Sequence, residues 1–191
     1  MIIAGVGRFG QIVNRLLVAN GVKTVVLDHE VAQIDNLRRV NIKSYYGDAT
    51  RADLLHTAGI EEASSLVIAI DDPVRAVELV AQVKKHHPHI KVMARAFDRG
   101  HGYRLRQAGA DIIISETYHS ALELGGHVLR ALDFHPFHAE QTKSSFFESE
   151  AGHRDVLFNT WAKITEDDKY GSQYSQLFME IEETLGKRMQ K

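Results

Sequence analysis

The chain has 191 residues, 44% of them hydrophobic and 25% charged, the balance of an ordinary folded domain with length to spare for an appendage. Its formal net charge of -2 provides no basic surface for nucleic acid. The absence of cysteine excludes disulfides, thiolate catalysis and cysteine zinc sites, and no apolar run approaches the roughly 18 residues of a membrane span.

Met1 leads straight into the first predicted strand, Met1 to Ala4, and no signal peptide is expected. Gly5, Gly7 and Gly10 follow as G-x-G-x-x-G, between that strand and a helix over Phe9 to Asn20. The first glycine allows a tight turn, the second lets backbone approach a phosphate, and the third lets helix pack on strand. Free N–H groups at the helix start then attract an anion. Ile12, Val13, Leu16 and Leu17 give the helical spacing, and Asn20-Gly21 stops it. Strands are predicted over Thr24 to Leu27, Lys43 to Tyr46, Ser65 to Ile70, Ile90 to Ala94 and Asp111 to Ile114. Helices are predicted over Val31 to Val40, Arg51 to Thr57, Pro73 to His87, Arg99 to Ala108 and Thr117 to Leu132. This alternation reads as a Rossmann-like α/β fold, a doubly wound parallel sheet of six strands in the order 3-2-1-4-5-6. The expected domains are residues 1–133, nucleotide-binding, and 134–191, a mainly helical extension. Phe134 to Gly152 shows little period, and helical patterns return over Arg154 to Thr165 and Gln173 to Lys187.

Right-handed crossovers bring every strand's carboxyl end to one sheet edge, where ligands bind. Asp28, at the end of strand two and 18 residues after Gly10, can accept from both ribose hydroxyls of an adenosine. Its carboxylate would repel a 2′-phosphate, which argues against NADP. The competing reading is an N-cap for the next helix. His29 either touches the ribose or is exposed. Asp48, in Gly47-Asp48-Ala49-Thr50, lies beside an adenine or caps the helix from Arg51. Arg95 is an anion clamp or a salt-bridge partner of Asp71, Asp72 or Glu116. Arg8, within the glycine turn, reaches phosphate or solvent. His86, His87 and His89 are read as solvated, and His135 with His138 lack a third ligand at telling spacing, so no metal is expected.

Five motifs in order then carry a family resemblance: Gly5-Val6-Gly7-Arg8-Phe9-Gly10-Gln11-Ile12-Val13, Val26-Leu27-Asp28-His29, Tyr46-Gly47-Asp48-Ala49-Thr50-Arg51, Ala69-Ile70-Asp71-Asp72-Pro73 and Arg104-Leu105-Arg106-Gln107-Ala108-Gly109. Over about residues 1–140 the chain resembles the regulatory RCK or KTN domain of Kef glutathione-gated potassium efflux systems. The resemblance implies a non-catalytic, dimeric domain on the cytoplasmic side of the bacterial inner membrane. It would continue a membrane-embedded potassium/proton antiporter in the same longer chain. It implies AMP or NAD(H) as cofactor, glutathione or its adducts as regulator, and in some systems a soluble ancillary subunit. The nucleotide contacts carry onto Gly5, Gly7, Arg8, Phe9, Asp28, His29, Asp48, Ala49 and Arg95, with Gly10 packing the turn. Arg15, on the first helix, matches a residue associated with the glutathione pocket. Two other readings use the same glycine turn: an NAD-dependent oxidoreductase, which lacks a substrate domain here, and a Trk-type potassium uptake subunit.

Overall fold

The computed structural model describes residues 1–163 and 171–189. The chain divides into two compact units, Met1–Glu116 and Thr117–Lys191. The first holds β1 (Ile2–Ala4), α1 (Gly10–Ala19), β2 (Val25–Asp28), α2 (Val31–Arg39), β3 (Lys43–Tyr46), α3 (Ala52–Thr57), β4 (Ser65–Ile68), α4 (Pro73–His86), β5 (Lys91–Ala96), α5 (Arg99–Gln107) and β6 (Ile112–Ser115). All six strands are parallel, in the order β3-β2-β1-β4-β5-β6. The doubly wound order read from the alternation is the one observed. Element ends fall within two residues of the periodicity, and a 3₁₀ turn, Ile60–Glu62, is added after Gly59, whose φ is +84°.

The strands are short and apolar because both faces of the sheet are covered. Ile2, Ala4, Leu27, Leu66, Ile68, Val92 and Ala94 point to one face. There they meet Leu55 of α3, Leu79, Val80 and Val83 of α4, and Leu105 of α5. Ile3, Val26, Val67 and Ala69 point to the other, against Val13 and Leu17 of α1 and Leu37 of α2. Register follows this alternation: Ile3 stands beside Val26 on one side and Val67 on the other. A one-residue slip would turn both sets to the wrong faces.

The helix α4 is the best terminated. Pro73 occupies its first turn, and Asp72 accepts from the N–H groups of Val74 (2.9 Å) and Arg75 (3.1 Å). Lys84 near its end donates to Asp111 (2.6 Å) and to the Ile90 carbonyl (2.9 Å), fastening the turns before β5 and β6.

The second unit is helical: α6 (Tyr118–Ala131), α7 (Pro136–Lys163) and α8 (Ser172–Met189). The expected boundary at 133/134 and the unit boundary at 116/117 differ by α6. In sequence α6 continues the β-α alternation; in space it packs on α7, where the aliphatic stem of Lys143 lies over Gly126. The stretch of little period after Phe134 is the first half of α7. That helix buries only Ala139, Ser149, Leu157 and Trp161, too few to leave a 3.6-residue signature. Thr165, the expected end of the pattern from Arg154, lies outside the described residues.

Candidate functional site

The glycine turn is fixed by backbone contacts that no side chain would permit. Gly5 has φ +89°, and its N–H donates to the Leu27 carbonyl (2.8 Å). A Cβ there would meet the Ala69 carbonyl carbon and oxygen, both at 2.7 Å. A Cβ on Gly10 would overlap the Gly5 carbonyl oxygen, so α1 sits directly on the turn. Gly7 is different. A Cβ there would have only Asp71 Oδ2, at 4.0 Å, within reach. Its lack of a side chain serves open space, not packing. Gln11 N–H is the first of the helix start to donate back, to the Gly7 carbonyl (3.0 Å). The N–H groups ahead of it are the donors that a helix start offers to an anion.

Asp28 is 6% exposed. One carboxylate oxygen accepts from Val6 N–H (2.6 Å), the other from Glu30 N–H (2.8 Å). It therefore links the glycine turn to the end of β2. It does not cap α2, whose N-cap is Glu30. His29 is exposed. Asp48 accepts from Thr50 through its N–H (3.0 Å) and hydroxyl (2.8 Å) and pairs with Arg75 (3.0 Å). The Thr50 N–H, the Thr50 hydroxyl and the Arg75 and Arg51 charges outweigh burial and hold its carboxyl below the usual range. It too is not a helix cap, since α3 begins behind Arg51 without a side-chain bond.

Gly5, Gly7, Asp28, His29, Asp48 and Ala49 converge on one cleft of about 400 Å³ at the carboxyl ends of β1 to β4. Arg8, Phe9, Gly10 and Arg95 do not line it. Gly10 lies beneath the turn, and Phe9 packs into the core with Val13 and Leu17. Arg8 is exposed and reaches Glu116 at 3.6 Å. Arg95, 5% exposed, pairs with Asp71 (3.0 Å) and Glu116 (3.1 Å) and donates to the Ile70 carbonyl (2.7 Å). The salt-bridge reading of Arg95 is realised through two of the three candidate carboxylates. Together with Arg8 it makes a chain of alternating charge across the ends of β4, β5 and β6. Arg15 lies on the exposed side of α1. Among the described residues no group of three potential metal ligands occurs.

Asp71 and Asp72, which the strand order brings to this edge, line the cleft; sequence reasoning missed Arg75 of α4, Glu30 and Gln33, which line it too. The signal for Arg75 was available, because Pro73 fixes the first turn of α4 and so puts Arg75 at the sheet edge.

The residues fit an adenosine phosphate: room at Gly7, donors at the helix start, and carboxylates at the ends of β2 and β3. The TrkA-N domain family matches residues 1–116, and the potassium efflux system KefB C-terminal domain matches residues 120–191. The glutathione-regulated potassium-efflux system protein KefC of Klebsiella pneumoniae is 48% identical over 146 residues, which are 76% of this chain and 24% of that protein. KefC of Klebsiella aerogenes matches to the same extent. The chain thus spans 24% of the length of these curated relatives. Among solved structures, the Shewanella denitrificans Kef C-terminal domain in AMP-bound form is 42% identical, with a TM-score of 0.77, covering 84% of this chain and 98% of that one. The GsuK RCK domain is 30% identical, with a TM-score of 0.60, covering 78% and 29%.

Proposed function

This chain belongs to the TrkA-N domain family and, within it, to the C-terminal regulatory domains of Kef-type potassium efflux systems, and from that premise we propose that it binds an adenosine nucleotide and gates potassium efflux. The observation that carries the proposal is the convergence of the glycine turn, Asp28 and Asp48 on one cleft. The ligand is AMP or NAD(H), whose common adenosine addresses both aspartates. Its ribose hydroxyls donate to Asp28, its base lies against Asp48 and Ala49, and its phosphate meets the turn at Gly7 and Arg8. The AMP-bound Shewanella domain supports this reading.

In this proposal the domain is cytoplasmic, carries out no chemistry, and acts as a homodimer within a longer chain whose membrane part is a potassium/proton antiporter. Glutathione or its adducts regulate it, with Arg15 contributing to their pocket, and a soluble ancillary subunit is a further partner. A nucleotide bound equally by all states only stabilises the fold. Gating requires a second ligand that distinguishes two arrangements of the dimer. The KefB-type segment over residues 120–191 favours this reading over a Trk-type uptake subunit.

The test is a thermal melt with AMP and with NAD. At a hundredfold excess over Kd the ligand stabilises the fold by about 2.7 kcal/mol. Asp28→Ala and Asp48→Ala should lose most of that shift. Equal shifts in wild type and both variants, or none in wild type, overturn the assignment.

A further inference from the structure

We propose that Arg75 is the base-recognition residue of the cleft: a guanidinium plane, held by Asp48, on which the adenine stacks. The inference rests on the nucleotide-binding reading above and adds a residue that neither the glycine turn nor the strand-end aspartates include. Of the 14 residues lining the cleft, five are carboxylates, Asp28, Glu30, Asp48, Asp71 and Asp72, and Arg75 is the one lysine or arginine. Its placement follows from its partner. Arg75 Nη1 lies 3.0 Å from Asp48 Oδ2. The phosphate end of the cleft is the glycine turn at the end of β1, whereas Asp48 follows β3, two strands away. Arg75 therefore stands at the base end.

The backbone keeps it there. Asp72 accepts from the Arg75 N–H (3.1 Å), and Pro73 fixes the turn between them. The side chain nevertheless remains 54% exposed, within reach of a ligand in the cleft. Guanidinium planes stack on purines, and a side chain this exposed on the cleft wall can lay its plane against the base. The pair also spares the base a bare carboxylate: Asp48 meets it with its charge balanced, and its backbone neighbour Ala49 also lines the cleft. Lysine could keep the charge and the pair but not the plane.

Isothermal titration of the full chain with adenosine, AMP and NAD tests this. Arg75→Lys and Arg75→Ala should each weaken all three ligands by about the same factor, on the order of tenfold. The equal factor follows because the adenine is common to all three. Loss for AMP and NAD with adenosine unchanged would make Arg75 a phosphate contact and overturn the proposal, as would unaltered binding of all three. Failure of wild type to bind any of them overturns the nucleotide reading itself, a separate result. The exposed position of Arg75 means that both variants should melt like wild type without ligand, which separates lost recognition from lost fold.

Discussion

Asp28 shows how one side chain serves the fold and the ligand together. Its two oxygens hold Val6 N–H and Glu30 N–H, at 2.6 and 2.8 Å, in a buried setting. Asp28→Ala would leave the buried Val6 N–H without a partner, at a cost of roughly 1–3 kcal/mol. Urea denaturation without nucleotide should therefore show the variant destabilised by that amount. A midpoint equal to wild type would refute the latch. The ribose role and the latch role are compatible, since a carboxylate oxygen has two acceptor directions. His101 offers a second residue-scale case. It is buried, its Nδ1 accepts from Phe97 N–H (3.0 Å), and its own N–H is held by Asp98 (2.7 Å). Burial first, then the charges of Arg104 and Arg95, against the opposite pull of Asp98, press its pKa below the ordinary 6.5. A lowered pKa means the unfolded chain binds the proton first. The stability tied to neutral His101 is complete above pH 6.5 and is lost as pH falls below it. The melting temperature of wild type should fall more than that of His101→Asn between about pH 7 and about pH 5.5; parallel pH curves would contradict this.

At the scale of elements, the glycine turn separates into parts that do different things. Gly10 carries the packing of α1 on β1, because its missing Cβ leaves room for the Gly5 carbonyl. Gly10→Ala should cost more than about 3 kcal/mol, the range of severe core overpacking. Gly7 has free space where its Cβ would stand. Gly7→Ala should melt within about 0.5 kcal/mol of wild type without ligand, yet lose the AMP-induced shift. The reverse pattern would assign the two glycines wrongly. The sequence made this turn legible because its three glycines fall between a strand run and a helix run. It made the sheet legible because Ile2–Ala4, Val26–Leu27 and Leu66–Ile68 are buried on both faces and so read as unbroken apolar runs. The first half of α7 was not legible, since a helix that buries four side chains over 28 residues has no apolar stripe. Arg75 was passed over for a related reason: strand ends attract notice, but here a helix start supplies the wall.

At the scale of the whole molecule, α1 is apolar on both of its sides. Val13 and Leu17 face the core, while Ile12 and Leu16, one turn apart, are 65% and 66% exposed, with Arg15 beside them. A surface helix of a monomer would carry polar residues there. The exposed stripe supports the proposed homodimer, in which α1 of one copy would lie against α1 of its partner about a two-fold axis, each presenting the same residues. An aspartate introduced at Leu16 would then be buried twice across the axis, once from each copy, facing apolar surface without a counter-ion. Leu16→Asp should sediment as a monomer at concentrations where wild type is a dimer. Its nucleotide-induced melting shift should persist, because the glycine turn, Asp28 and Asp48 meet within one copy. Glutathione, which under the proposed function acts by distinguishing arrangements of two copies, should lose any effect on the melt of this variant. A Leu16→Asp protein that still sediments as wild type would move the dimer interface away from α1. A monomer that no longer responds to AMP would mean that the cleft is completed across the interface.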